Sequence, residues 1–216
     1  MRPVKIARIF FFLFTVCFIL PFPSYAKKII ILGDSLTEGY GVTQDSAFPV
    51  LLQKKITEDK INWTLVGSGS SGSTTASGIS RMKWLIRQKP DFIFVILGSN
   101  DGLRGLKVEE TEKNLNETIQ YGLKNNIQII LGQLHVPPNY GKQYSKQFSD
   151  IYPRVAKKNK VLLAPFLLED VAGVKDLNLA DGIHPNEKGH KKVADNLYPF
   201  LKKIMTAKTD NKEIIK

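Results

Sequence analysis

Cysteine is almost absent from this chain of 216 residues, which contains a single one, Cys17. Cys17 lies in an N-terminal apolar run, residues 9–20, that we expect to be removed from the mature protein. The mature chain then has no thiol, which excludes disulfides, a cysteine nucleophile and a thiolate metal site. A second long apolar run is also lacking, so no later stretch of the sequence is expected to cross a bilayer.

The first 26 residues have the order of features typical of a secretory signal. Lys5 and Arg8 precede the apolar run, and the small residues Ser24 and Ala26 stand at the two positions that a signal peptidase reads. This pattern predicts a signal peptide over residues 1–26, with cleavage after Ala26. The alternative is an uncleaved membrane anchor, for which twelve apolar residues are few, because a span needs roughly 20.

The charge of the chain is strongly basic, at +11, and falls to +8 when the three basic residues of the predicted signal are removed. The excess is compatible with a solvated basic surface, or with attraction to anionic membranes or acidic substrates. No basic stripe is interleaved with aromatic residues, so we expect no nucleic-acid partner. The length suits one domain over residues 27–206, followed by a polar tail over 207–216.

Short apolar runs alternate with segments of helical periodicity. Five runs predict strands, at residues 28–32, 63–66, 92–97, 127–131 and 161–164. Helical spacing predicts helices at 48–56, 79–86, 109–124, 144–158 and 186–205. This alternation predicts an α/β protein with a five-stranded parallel sheet and helices on both faces. In such sheets the ligand site lies beyond the carboxyl ends of the strands.

Ser35 follows the first predicted strand and is a candidate nucleophile. A serine hydroxyl attacks carbonyl carbon only when a positioned base takes its proton. Thr37 stands where the G-x-S-x-G nucleophile elbow has its second glycine, which argues against the α/β-hydrolase fold. The alternative is that Ser35 only caps the helix that follows it.

Asp181 and His184 supply a candidate acid and base three residues apart. A carboxylate at this spacing can hold an imidazole in one tautomer and stabilise the imidazolium that forms. The alternative is an acidic residue near a helix N-terminus beside an exposed histidine. The other two histidines are weaker candidates: His135 could line the site, and His190 lies among lysines on the last helix, where we expect it to be solvent-exposed.

Acyl transfer also needs hydrogen-bond donors directed at the developing oxyanion. Three candidates follow strands: the backbone N–H of Ser35, the backbone N–H of Gly72 and the side-chain amide of Asn100. The Gly/Ser-rich loop 67–73 could instead cradle a phosphate. No Walker lysine follows this loop and no G-x-G-x-x-G is present, so a nucleotide site is not expected.

Four separated blocks of the sequence resemble, in order, those of the GDSL or SGNH hydrolases. The blocks are residues 33–36, Gly72, residues 98–101 and residues 181–184. Residues 31–36, 100–105 and 138–141 look like those of a periplasmic branch with acyl-CoA thioesterase, arylesterase and lysophospholipase activities. The resemblance implies a flavodoxin-like three-layer α/β/α fold with Ser35, Asp181 and His184 as the catalytic triad, and it implies no metal or other cofactor.

An acyl substrate requires an apolar groove, and the sequence offers candidates for its walls. We expect the lining to include Leu103, Leu106, Val136, Pro138 and Tyr140, which would otherwise be ordinary loop and core residues. The expected protein is a monomeric serine esterase, periplasmic or secreted, without a stable membrane anchor after cleavage. Its expected substrate is a small acyl ester or a lysophospholipid. The alternatives are a carbohydrate O-acetylesterase on the same fold and a non-catalytic ligand-binding module on a hydrolase scaffold.

Overall fold

The computed structural model of this protein describes residues 26–207. The predicted signal cleavage site lies at the border of this range, and the apolar run and most of the polar tail lie outside the described residues. Five strands form one parallel sheet, with bounds close to those expected from the apolar runs. They are β1 Lys27–Gly33, β2 Trp63–Ser68, β3 Phe92–Ile96, β4 Gln128–Gln133 and β5 Leu162–Phe166.

The strand order in the sheet is β2-β1-β3-β4-β5, and all neighbouring strands are parallel. The chain therefore moves outward from β1 to β2, returns past β1 to β3 and continues in the other direction. The crevice between the ends of β1 and β3 is the switch point at which open α/β sheets bind ligands. All five residues of β3 are buried, as expected of a central strand covered on both faces.

Eight helices are present among the described residues, and the longer ones cover both faces of the sheet. They are α1 Ser35–Glu38, α2 Phe48–Glu58, α3 Gly78–Leu85, α4 Ser99–Leu103, α5 Val108–Lys124, α6 Lys142–Ser149, α7 Ile151–Asn159 and α8 Glu187–Thr206. Helices α2 and α8 pack on each other at one face, and α3, α5 and α7 pack in series at the other. The predicted three-layer α/β/α architecture is confirmed. Within residues 26–207, no helix is both long and apolar enough to span a bilayer.

The single helix expected over residues 144–158 is wrong, because two helices, α6 and α7, meet at Asp150. Pro153 explains the break. Proline has no N–H to donate to the carbonyl four residues earlier, so it is tolerated in the first turn of a helix but not in its interior. The break makes Pro153 the third residue of α7.

His190 is buried, contrary to the expectation that it is exposed, and only 1% of its surface is accessible. Its Nδ1 accepts the N–H of Phe48 at 3.3 Å, and its ring stacks on the Phe48 ring. Helix α2 begins after Ala47, whose side chain cannot cap it, so the imidazole supplies the missing acceptor. Burial lowers the pKa of His190 to about 4, which keeps the ring neutral in the role of acceptor.

Candidate active site

Ser35, His184 and Asp181 form one continuous hydrogen-bonded chain at the carboxyl end of β1. His184 Nε2 lies 2.9 Å from Ser35 Oγ, and His184 Nδ1 lies 2.8 Å from Asp181 Oδ2. The serine lies directly after β1, whereas the histidine and the aspartate lie in the loop that precedes α8. This is the order of contacts in which an imidazole can take the serine proton while the carboxylate fixes its tautomer.

The turn that carries Ser35 is capped by Asp34 rather than by Ser35 itself. Asp34 Oδ1 accepts the N–H of Leu36 at 3.0 Å, and Ser35 is the first residue of α1. The alternative in which the serine hydroxyl caps the helix is therefore wrong, and Ser35 Oγ is directed to His184. Gly39 ends the helix in a left-handed conformation with φ of 83°, which a glycine adopts without strain.

Asp34 is a fully buried carboxyl group directly beside the candidate nucleophile. Burial raises its pKa to about 6, although the Leu36 N–H, the neighbouring Ser99 hydroxyl and the charge of His184 all act to lower it. Close by, the Arg81 guanidinium donates to the carbonyl oxygens of Gly33 at 2.6 Å and Ser68 at 2.5 Å. These contacts tie α3 to the ends of both β1 and β2 just below the nucleophile.

The loop that carries Asp181 and His184 is folded by its own hydrogen bonds. Asp181 Oδ1 accepts the backbone N–H groups of Ile183 at 2.9 Å and His184 at 3.0 Å, while Oδ2 accepts the imidazole. Burial acts to raise the pKa of Asp181, but these bonds and the nearby charge of His184 lower it overall. Asp181 is therefore held as a carboxylate. The ring of Tyr40, which the sequence did not single out, lies 4.6 Å from the His184 ring.

Two of the three candidate oxyanion donors, Gly72 and Asn100, lie on segments that are hydrogen-bonded to each other. Asn100 Nδ2 donates to the carbonyl of Ser73 at 3.0 Å, and Arg104 donates to the carbonyl of Gly72 at 3.1 Å. Gly72 has a φ of 75° and is exposed. These bonds bring the Gly72 turn beside Asn100, which lies in the short helix α4.

The buried side chain of Asp101 also links these two segments. Its two oxygens accept the backbone N–H and the hydroxyl of Thr75, and Thr111 of α5 adds a weaker contact. Only 1% of Asp101 is accessible. Its place directly after Asn100 was the only hint in the sequence, and nothing local to Arg81 indicated that it reaches the strand ends.

A cleft of about 400 Å³ opens beside Ser35 and His184. Its walls are mainly apolar and include Phe166, Leu168 and Ile183. The residues that line it are Ser35, Leu36, Ser99, Asn100, Leu103, Leu134, His135, Val136, Pro137, Phe166, Leu168, Ala172, Gly173, Gly182, Ile183 and His184.

Among the residues predicted to line the groove, the structure brings Leu103 and Val136 to the cleft, and His135 lines it as well. Of the other described candidates, Leu106 and Tyr140 lie outside its walls. The Tyr140 hydroxyl instead donates to the carbonyl of Leu103 at 2.8 Å and supports that wall from outside. Pro138 begins a short 3₁₀ turn that follows the cleft residues 134–137.

The close packing of Gly102 explains how α4 is held against the cleft. A Cβ at Gly102 would lie 2.1 Å from a Val136 methyl and 3.0 Å from the Phe148 ring. Gly102 is therefore required for the close contact between α4 and Val136. Within the described range, no group of three or more His, Cys, Asp or Glu side chains is arranged to hold a metal ion.

A parallel three-layer α/β fold with a Ser-His-Asp chain at its switch point defines a serine hydrolase that lacks the nucleophile elbow. Residues 31–192 match the model of the GDSL-like lipase/acylhydrolase family. The chain therefore belongs to this family, and it is a serine hydrolase that acts on ester bonds. The family resemblance predicted from the four sequence blocks is confirmed.

Individual relatives and solved structures agree with this assignment. The chain is 34% identical to esterase TesA of Pseudomonas aeruginosa, over 83% of this chain and 90% of the relative. It is 38% identical to thioesterase 1/protease 1/lysophospholipase L1 of Escherichia coli strain K12, over 79% of this chain and 81% of the relative. The structure of the psychrotrophic esterase EstA from Pseudoalteromonas sp., inhibited by monoethylphosphonate, superimposes with a TM-score of 0.79 at 33% identity, covering 83% of this chain and 98% of that one.

Proposed function

We propose that Ser35 is the nucleophile of this esterase, with His184 as its general base and Asp181 as the residue that orients the imidazole. The observation that carries the proposal is the pair of hydrogen bonds of 2.9 and 2.8 Å that link the three side chains. His184 takes the proton from Ser35 Oγ as the oxygen attacks the acyl carbonyl carbon, and it then protonates the leaving alcohol or thiol. Water hydrolyses the acyl-enzyme by the same route in reverse.

The developing oxyanion is stabilised in this proposal by the N–H groups of Ser35 and Gly72 and by the amide of Asn100. One amide hydrogen of Asn100 is directed to Ser73, and an amide nitrogen carries two, so the second is available to substrate. Asp101 fixes Thr75 and thereby keeps the two turns at a constant separation. Preorganised donors of this kind contribute because they do not have to reorient during the reaction.

The substrates in this proposal are acyl esters and thioesters with an apolar acyl chain. The apolar cleft walls favour such a chain over a carbohydrate, whose hydroxyl groups would require polar partners. The names of the relatives from P. aeruginosa and E. coli, which include esterase, thioesterase and lysophospholipase, support the same substrate class. The predicted signal in residues 1–26 supports a periplasmic or secreted location, where lysophospholipids and other acyl esters are more accessible than acyl-CoA.

The nucleophile is tested by the change Ser35→Ala. We expect hydrolysis of p-nitrophenyl esters to fall on the order of 10⁴-fold or more, because the residual rate comes only from binding and the oxyanion donors. A fluorophosphonate probe should label Ser35 in the unchanged protein and leave the variant unlabelled. Ser70→Ala is the matched control, because Ser70 is an exposed serine of the neighbouring loop. Full activity of Ser35→Ala would refute the assignment.

The acyl-chain preference is tested by narrowing the cleft with Ala172→Phe. Ala172 lines the cleft and is exposed, so the protein can accommodate a larger side chain there without disturbing the core. We expect kcat/KM for p-nitrophenyl octanoate to fall about tenfold or more, because each buried methylene contributes roughly 0.8 kcal/mol. The acetate ester should be nearly unaffected and serves as the internal control. A strong preference of the unchanged enzyme for acetate would instead favour the carbohydrate O-acetylesterase.

A further inference from the structure

The charges of the described residues are separated between the two ends of the sheet. Helices α2, α3, α5 and α7 each run back from the carboxyl end of one strand to the start of the next. The turns that precede these strands therefore lie at one end of the sheet. The last turn of α8 lies at the same end. We call this surface the basic end and define it as residues 26–28, 57–62, 86–91, 124–128, 157–161 and 202–207.

The basic end carries eleven lysine or arginine residues against three acidic ones, Glu58, Asp59 and Asp91. The opposite end has the reverse balance, with eleven acidic and five basic residues over the segments that surround the cleft. Those segments are residues 34–47, 68–77, 98–110, 134–143 and 167–188. The net charge is therefore about +8 at one end and about −6 at the other, a separation that the overall charge of the chain conceals.

The positive charges at the basic end are largely uncompensated. Of the ion pairs among residues 26–207, one lies at this end, between Lys202 and Asp59. Lys89, Lys124 and Lys160 precede the adjacent strands β3, β4 and β5, and all three side chains are exposed. Neighbouring strands are about 4.8 Å apart, so these three lysines stand in a short row along the sheet edge.

Lysines at helix C-termini stabilise the fold by opposing the helix dipole, and this accounts for part of the pattern. It does not account for Lys27 and Lys28, which begin a strand, nor for the accumulation of five such turns on one surface. The strands hold the two ends apart. The seven residues of β1 span about 20 Å. This is more than twice the Debye length of about 8 Å at physiological ionic strength, so the charges at one end are largely screened from those at the other.

We propose that the basic end binds the surface of an anionic phospholipid bilayer. Ten of its eleven basic residues are lysines, whose compact charges suit attraction to a charged surface rather than the bidentate or stacked contacts of nucleic-acid recognition. A protein bound in this way has the Ser35 cleft directed away from the bilayer, toward the aqueous phase.

The test measures binding of the full chain to phosphatidylcholine vesicles with and without phosphatidylglycerol, by co-sedimentation. The variant Lys89→Asn/Lys124→Gln/Lys160→Asn removes three charges from the basic end; asparagine is chosen where the lysines have positive φ, of 51° and 53°. The control Lys107→Gln/Lys142→Gln/Lys188→Gln removes three exposed charges from the opposite end. All three proteins share residues 1–25, so any contribution of that segment is common to them.

We expect the partition coefficient for phosphatidylglycerol vesicles to fall on the order of a hundredfold in the basic-end variant and less than about fivefold in the control. Hydrolysis of water-soluble p-nitrophenyl acetate by the unchanged enzyme should continue when the protein is vesicle-bound. Equal losses in the two variants, or equal binding to vesicles of phosphatidylcholine alone, would overturn the proposal. Tighter binding to double-stranded DNA at the same salt concentration would overturn the choice of lipid, and loss of activity on binding would overturn the orientation.

Discussion

The carboxyl groups of Asp34, beside the nucleophile, and of Asp181, bonded to His184, have opposite environments. Asp34 lies on the nucleophile side, is fully buried and has a pKa raised to about 6 by burial. Asp181 lies in the loop before α8, has a side chain that is 37% exposed and has a lowered pKa because three N–H groups donate to it. The nucleophile side is therefore held by the core, whereas the acid–base side is held by local hydrogen bonds within an exposed loop.

This comparison teaches that changes on the two sides should have different consequences. On the nucleophile side, α3 and the ends of β1 and β2 meet through Arg81, so the position of Ser35 depends on the packing of the whole sheet. On the acid–base side, the Leu179 N–H donates to the His184 carbonyl at 2.8 Å and the Gly182 N–H to the Leu179 carbonyl at 2.9 Å. The loop can therefore lose a side chain without weakening the core.

The largest expected effect is a loss of activity without a loss of stability when Asp181, on the acid–base side, is replaced. Asp181→Ala should lower kcat on the order of 10³-fold, because the imidazole loses the group that fixes its tautomer and stabilises its charged form. The free energy of unfolding should change by less than about 1 kcal/mol, because the side chain lies in an exposed loop. Steady-state kinetics and urea unfolding measure the two quantities. Asp176→Ala, an exposed aspartate of the same region, is the control and should change neither.

A smaller effect concerns the pH dependence of stability on the nucleophile side. The pKa of Asp34 is about 6 in the folded protein and 3.8 in the reference state, so the native state binds the additional proton between these values. Its contribution to stability is therefore present below about pH 4 and is lost as the pH rises through 6, a cost of about 3 kcal/mol. Asp34→Asn keeps an acceptor for the Leu36 N–H and cannot titrate.

Urea unfolding of both proteins from pH 4 to pH 7 tests this prediction. Relative to the unchanged protein, the unfolding free energy of Asp34→Asn should rise by about 2.4 kcal/mol between pH 4 and pH 7. Taking the difference removes the opposite trend of His190, whose lowered pKa reduces stability as the pH falls from 6.5 to about 4. A difference that is independent of pH would show that Asp34 is ionised in the folded protein throughout this range.

The smallest expected effect couples stability to activity through Arg81. Arg81→Ala should lower the free energy of unfolding by about 2 kcal/mol, because it removes two hydrogen bonds from a charged donor. It should also lower kcat, because the strand ends below Ser35 lose their connection. Arg81→Lys should be intermediate, since one ammonium does not reproduce the planar fork. Arg87→Ala, an exposed arginine just after α3, is the control; a fall in only one of the two quantities would contradict the coupling.

The sequence alone determined the class of fold and the identity of the candidate residues. Runs of four to six mostly apolar residues predict the five strands because the central strands of a parallel sheet are buried on both faces. The four blocks beginning at residues 33, 72, 98 and 181 indicated the family, which the family model over residues 31–192 confirms. The catalytic roles of Ser35, Asp181 and His184 stay predictions until they are tested.

Only the tertiary structure decided which distant groups meet. The burial of His190 depends on α2 packing against α8, and the connection from Arg81 to β1 and β2 depends on the strand order. The exclusion of Leu106 and Tyr140 from the cleft and the collection of lysines at one end have the same origin. Local periodicity specifies which side of an element is buried, but the partner across the interface and the charge of a whole surface are set by long-range packing.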